Sequence, residues 1–363
     1  MSSLLSSQYA VWILASEGTY GTDAIETILD ANGALTYLDL DNPSSMIPVS
    51  ELFEPDRVRA SHSGVPHSVI NNHMAVELSG PLKGKEAAGA GNEAPLYSPI
   101  LLASNFAETV VSATSATYAL KTAQQGSFTA YHYRRNLEDN LWRLVYGYGI
   151  RGSTKLSFGV NVEPTFTFGG LSANWVDWSN DLAFFGTGGA GGVLTDQPIL
   201  ENDGTTDISA SYTGTAAKDT VARVLCHTMT ITLGATTYPL TSLDLDLAWN
   251  VAPLNTMNNA ATNAKTLLTR GSSSRPNGTF LLLDGAAAYE DVLTKSVAGT
   301  EAALQVIAAN ATSSIQLDAA KVQLGIPTLS DQNGVAGFEV PFFLAGNFAS
   351  NPHGEGDLTL TYT

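Results

Sequence analysis

Alternation of apolar and polar residues with period two dominates the chain. In Thr36-Tyr-Leu-Asp-Leu-Asp-Asn42, Leu38 and Leu40 alternate with Asp39 and Asp41. Successive side chains of a strand face opposite ways, so such a segment has one apolar and one acidic face. Leu243-Asp-Leu-Asp-Leu-Ala-Trp249 repeats the pattern, with Asp244 and Asp246 set against Leu243, Leu245 and Leu247. The same reasoning predicts strands over 74–79, 127–133, 155–160, 164–168, 228–233, 304–308, 314–317, 337–344 and 357–362. The run from Tyr9 through Trp12 to Ala15 is apolar but too short to cross a bilayer. No basic region precedes it, which argues against a secretory signal, and it reads as an arm or a strand.

Helical spacing is rare. Residues 96–106 form an apolar stretch just after Pro95, a residue suited to a first helical turn. Asn136 is placed to cap a helix over 137–146, with Leu137, Leu141, Leu144 and Val145 on one side and Gly147 and Gly149 ending it. Asp284 is placed to cap a helix over 285–295. A weaker pattern covers 17–29, where glycines interrupt it. Strand, helix, glycine turn and two strands thus follow one another over 127–169 and again over 280–317, a possible internal duplication. By pattern the chain divides into an arm and lead-in segment over 1–35, a β-rich half over 36–170, a Gly/Thr/Asp-rich extended loop over 171–220, and a second β-rich half over 221–363. Structureless stretches of that length in a compact domain are uncommon and often functional.

Composition narrows the picture. Of 363 residues 44% are hydrophobic and only 14% charged, which marks a globular chain rather than a disordered one. Acidic side chains number 34 against 17 basic, a net charge of −17, and the excess is spread over both halves. Such a surface repels polyphosphate and speaks against tight nucleic-acid binding. The single cysteine, Cys226, rules out an intrachain disulfide framework.

Candidate chemistry is thin. Gly186-Thr-Gly-Gly-Ala-Gly191 matches a dinucleotide fingerprint in letters only, because Pro198 follows where a helix should open. His62, His67 and His73 have spacings that share no strand face or helix turn, unlike zinc ligands. Cys226 and His227 are adjacent and so point apart. No nucleophile elbow, zinc-protease helix or phosphate-binding loop occurs. These absences predict a protein that is not an enzyme and carries no cofactor or metal. The paired carboxylates Asp39/Asp41 and Asp244/Asp246 fit a solvated strand face or the acidic lining of a pore. Arg134, Arg135, Arg143 and Arg151 cluster among aromatics, and in so acidic a chain they fit pairing with carboxylates of the same or a neighbouring subunit.

Glu17-Gly-Thr-Tyr-Gly-Thr-Asp-Ala24, Met74-Ala-Val-Glu-Leu-Ser-Gly80, Pro95-Leu-Tyr-Ser-Pro-Ile-Leu-Leu-Ala103, Ser127-Phe-Thr-Ala-Tyr-His-Tyr133, Tyr148-Gly-Ile-Arg-Gly152, Leu156-Ser-Phe158 and Pro164-Thr-Phe-Thr-Phe-Gly169 follow one another along the chain. In that order they resemble segments of the major tail tube proteins of long-tailed (siphophage-type) bacteriophages. The resemblance covers roughly 17–170, and the second half matches only in style. It implies a mainly β, sandwich- or barrel-like subunit with a few short helices, whose inner strands join into one continuous barrel in a hexameric ring. Rings stacked into a tube would carry double-stranded DNA without binding it specifically. Tape-measure, tail-tip and tail terminator proteins would be the partners. Assembly would take place in the host cytoplasm, and the product would sit in the virion tail. On this reading Asp39, Asp41, Asp244 and Asp246 line the bore, and the four arginines make intersubunit contacts. Tyr9, Trp12, Tyr20, Asp196 and Asp203 belong to ring-stacking segments. The competing reading is a virion decoration or carbohydrate-binding β-sandwich, for which Trp175 and Trp178 would be the aromatic site.

Overall fold

Burial follows the alternation strand by strand. Along 242–246, Leu243 and Leu245 are buried while Asp244 is exposed, and along 358–362 Leu358, Leu360 and Tyr362 are buried with threonines between them. The computed structural model describes residues 5–31, 35–38, 40–41, 44–53, 68–85, 94–112, 114–121, 126–136, 142–177, 216–218, 221–254, 266–269, 276–283, 286–332, 335–346 and 357–363. The chain is mainly β, and its strands build a sandwich-like pair of antiparallel sheets with a third, smaller sheet at one end.

The first sheet runs, in spatial order, β3 (Ser45–Phe53), β4 (Ser68–Pro81), β9 (Thr165–Ser172), β8 (Trp142–Gly159), β14 (Ser242–Asp246), β17 (Asn277–Leu282), β21 (Val335–Leu344) and β20 (Thr328–Gln332). The second runs β5 (Phe106–Val111), β6 (Ser115–Leu120), β22 (Leu358–Tyr362), β19 (Ser314–Leu324), β18 (Glu301–Ala309), β12 (Leu225–Leu233) and β13 (Thr236–Pro239). Strands from the two halves of the chain interleave in both sheets: β14 lies between β8 and β17, and β22 lies between β6 and β19. The sheets meet where the end of β19 pairs with β21, and β20 continues β19 beyond the break at Gly325-Ile326-Pro327. Phe166, Phe168, Phe158, Phe280 and Phe342 from the first sheet share one core with Ile231, Val306, Leu317 and Leu360 from the second.

The third sheet uses the first half of the long β8, flanked by β7 (Phe128–Asn136) and β10 (Asn174–Asp177), with β1 (Leu5–Ser16) outside β7. Short α1 (Ala24–Asp30) contributes Ile25 to a second core with Ile13, Tyr131, Tyr133, Leu144 and Tyr146. Two smaller ladders, β2 (Leu35–Tyr37) with β11 (Ala216–Lys218) and β15 (Val251–Leu254) with β16 (Thr266–Thr269), complete the strands.

Helix α2 (Ser98–Ala103) is buried and packs on β1, β5, β7 and β8. It stops at Asn105, whose φ of 75° is a left-handed value that asparagine tolerates. Helix α3 (Ala286–Val297) buries Ala288 and Val292, and Tyr289 lies 4.5 Å from the Phe338 ring. Near its end Lys295 donates to Asp291 at 2.6 Å and to the Leu233 carbonyl at 2.9 Å, tying the helix to the second sheet.

One predicted helix is corrected. Among the described residues of 137–146, the chain is strand: β7 runs through Asn136 and β8 begins at Trp142. Leu144 and Tyr146 enter the small core, while Val145 between them packs against the main one. Leu, Val, Tyr and Trp at that density suit a strand flanked by partners on both sides. The proposed internal duplication fails with that helix, since among the described residues β7, β8 and β9 succeed one another without one.

The bend that carries β8 from one sheet to another sits at Gly149. Its φ is +67°, and a Cβ there would lie 2.6 Å from the Cβ of Ala173. Gly149→Ala is therefore expected to destabilise the fold by about 1–2 kcal/mol from backbone strain alone, and more from the overlap. A calorimetric melt unchanged from wild type would contradict this account of the bend.

Candidate functional site

The acidic pair of β14 stands on the outward face of the first sheet. Cross-strand registers set Asp244 between Ser157 and Thr279, and Asp246 between Lys155 and Asn277. Residues opposite each other in an antiparallel pair share a face, so the rows extend further. One passes from Ser79 through Thr167, Lys155 and Asp246 to Asn277; the next passes from Thr165 through Ser157 and Asp244 to Thr279. Glu77 joins them opposite Gly169, and Glu339 stands exposed on β21. The middle of the face is thus built of Ser, Thr, Asn and carboxylates, while by register its margins carry exposed Ile47 and Val49 on β3 and Phe343 on β21. Its lysine, Lys155, is bound to Asp246 at 2.8 Å, and Ser157 donates to Asp244 at 2.6 Å. Asp246 also accepts the Ala248 amide at 2.8 Å. A depression of about 560 Å³ opens in this face, with Glu77, Ser153, Lys155, Thr167 and Asp246 on its walls beside Trp249.

Asp41 is exposed where its amide donates to the Ser79 carbonyl at the end of β4, so it lies beside the same sheet. Asp39, its predicted companion, lies outside the described residues, as do Asp196 and Asp203, Trp178, the Gly186–Gly191 segment, His62 and His67.

The two outer strands of this sheet are open. Among the described residues β3 pairs only with β4, and β20 only with β21. Both ends carry exposed aliphatics: Ile47 at 56% and Val49 at 37% on β3, and Leu329 at 76% on β20. Leu329 lies opposite Phe338, on the core side of the sheet, where the sandwich leaves it uncovered. Sequence reasoning missed both strands. Pro48 within Ser45–Phe53 was the available sign, because proline in a sheet belongs on an edge.

The arginines divide. Arg151 is 8% exposed, and its guanidinium lies 4.1 Å over the ring of Tyr20, so both residues act within this chain. Burial, opposed by Tyr20 and Glu17, holds the Arg151 guanidinium below its usual range. Arg134 and Arg143 face each other across β7 and β8, and Arg135 faces Trp142. The side chains of Arg135, Arg143, Tyr9 and Trp175 lie outside the description. Trp12 is 2% exposed and stacks on His132, so it is not available to a neighbouring ring while β1 is docked.

The segment that opens the family resemblance is a structural lock. Glu17 accepts hydrogen bonds from Ser127 Oγ at 2.7 Å, the Gly21 amide at 2.8 Å, Thr129 Oγ1 at 3.1 Å and the Gly149 amide. Asp23 accepts the Ile25 amide at the start of α1 and the Tyr131 hydroxyl at 2.6 Å. The tyrosine hydroxyl is held protonated by burial first and by Asp23 second.

Comparison with protein-family models and with curated proteins finds no match to this chain.

Glu17→Gln keeps the shape but removes the charge and one acceptor oxygen. It is expected to cost about 2–3 kcal/mol, the scale of charge-assisted hydrogen bonds left unmade. The shift of the urea midpoint measures it, and a value within error of wild type would show that the lock carries no load.

Proposed function

We propose that this chain is a structural, non-enzymatic subunit of a tail tube of the long-tailed bacteriophage kind. Copies join edge to edge through the first sheet, and its polar, acidic face turns toward the bore. The observation that carries the reading is the combination within one sheet: an outward face whose middle is Ser, Thr, Asn and carboxylates, bounded by two open strands that carry exposed aliphatics. An open edge invites pairing with another chain. When the two edges differ, the contact is head-to-tail, and it closes into a ring or propagates as a filament. The net charge of −17 supports a conduit that repels phosphate, so DNA passes without adhering. The ordered resemblance over 17–170 points the same way. On this reading Asp41, Asp244 and Asp246 belong to the lining, joined by Glu77 and Glu339. Arg151, Tyr20 and Trp12 serve the subunit's own fold.

Two sets of variants test this. Ile47→Asp and Leu329→Asp sit on exposed positions, so each should leave the melting temperature within a few degrees of wild type. Each should also hold the protein as monomers in sedimentation at concentrations where wild type forms rings or tubes. Assembly equal to wild type in both variants would remove β3 and β20 as the joint. Asp244→Lys with Asp246→Lys should leave particles intact but slow DNA ejection several-fold, because lysines on a bore bind the phosphates that pass. Ejection at the normal rate would take these residues off the lining.

A further inference from the structure

We propose that His132 is an acid-operated latch on the N-terminal strand: protonation of its ring releases β1 from β7. The inference rests on the fold alone and holds whether or not the chain forms a tube. β1 is an edge strand. Among the described residues it pairs with β7 and makes one further bridge, from Trp12 to Leu38. Trp12, Ile13 and Ala15 are its buried anchors, and the Trp12 indole lies flat on the His132 ring, centroids 3.7 Å apart and planes 9° from parallel. His132 itself is 1% exposed.

The imidazole is held in its neutral form by geometry. Its Nε2 accepts a hydrogen bond from Arg134 Nε at 3.4 Å, which requires a lone pair there and places the ring hydrogen on Nδ1. Nδ1 is buried without a hydrogen-bond partner. Protonation makes Nε2 a donor facing a donor. It also adds a positive charge beside Arg134, in a position closed to water.

The charged positions around the ring reinforce this. Arg134 shares its strand and face, and Arg143 lies opposite Arg134 on β8. The register partners that β1 brings to this part of β7 (Ala10, Val11, Trp12 and Ile13) are uncharged, and so is every residue of α2, which packs on both strands. Among the described strand positions in register with His132, the acidic one is Asp177 on β10, opposite Val145 and so two strands away. An imidazolium over an indole gains a cation–π attraction, but this does not replace the lost hydrogen bond or hydrate the buried charge.

Burial first, and Arg134 second, hold the His132 ring well below the ordinary imidazole range. The sign follows. The released strand leaves an ordinary histidine that takes up the proton more readily. Docking of β1 is therefore at full strength above about pH 6.5 and weakens below it, by up to about tenfold per pH unit for one proton. Release uncovers Trp12 and Ile13 and leaves the edge of β7 unpaired.

Amide hydrogen exchange of the full chain, read by mass spectrometry at about pH 8 and about pH 5 with times scaled for the intrinsic rate, tests the latch. Peptides from β1 are expected to lose protection at least tenfold in acid, while β18 keeps its own. His132→Phe retains a ring for Trp12 but cannot titrate, and it should keep β1 protected at both values. Unchanged protection of β1 in wild type, or equal loss in His132→Phe, overturns the proposal. If His132→Phe does not fold, exchange at the histidine C2–H in wild type decides. A His132 midpoint below the ordinary range that coincides with the loss of β1 protection supports the latch; an ordinary or unrelated midpoint refutes it.

Discussion

A sheet that does not close on itself leaves edge strands with backbone N–H and C=O groups that no ladder satisfies. Much else in this molecule depends on that constraint. Among the described residues, eighteen strands joined by pairing form one folded antiparallel sheet that is not closed. β8 carries it around one corner and β19 around another, so most strands find two partners. Where they do not, the chain treats its edges differently. β13 is short, exposes Thr236 and Thr237, and ends in Pro239, a blunted edge. β3 and β20 instead present Ile47, Val49 and Leu329. Edges that are dressed rather than blunted are suited to a partner, and on the proposed reading a second copy of the same sheet would supply the matching backbone.

The acidic face gains its meaning from that arrangement. A solvated strand face needs no special composition beyond being polar, but here Ser, Thr, Asn, Asp and Glu occupy successive cross-strand positions over five strands. The lysine among them is bound to a carboxylate. At 64% and 31% exposure, the Lys155–Asp246 pair adds little stability, on the order of 1 kcal/mol or less. Its consequence is electrostatic: it leaves no unpaired cation among those rows. On the proposed reading, a surface with that charge suits a channel wall, because it repels phosphate.

Strands with strict alternation were legible in the sequence. Leu243 to Asp246 and Leu358 to Tyr362 were assigned with their inward faces correct, and α3 was read from the capping position at Asp284 and the spacing of Ala288, Val292 and Lys295. The segment 137–146 was not legible, because Leu141, Leu144 and Val145 satisfy a helical period as well as a strand. Only the neighbouring strands decide between the two. β3 escaped because Pro48 interrupts its pattern. Glu17 could be seen as part of a family-like segment, but its partners Ser127, Thr129 and Gly149 lie more than a hundred residues away. The pairing of Asp244 with Asp246 on one face followed from period two. Their place among the rows of Glu77, Lys155 and Thr279 is a property of register, which no local pattern contains.

The central claim is that the acidic sheet extends from copy to copy around a channel. Electron microscopy of the purified protein at rising concentration tests it most directly. The account predicts rings or tubes with an open axial channel, in which density for β14 places Asp244 and Asp246 on the inner wall. Discrete closed oligomers with no channel, or a channel wall formed by the Gln316 and Thr361 face of the second sheet, would contradict it.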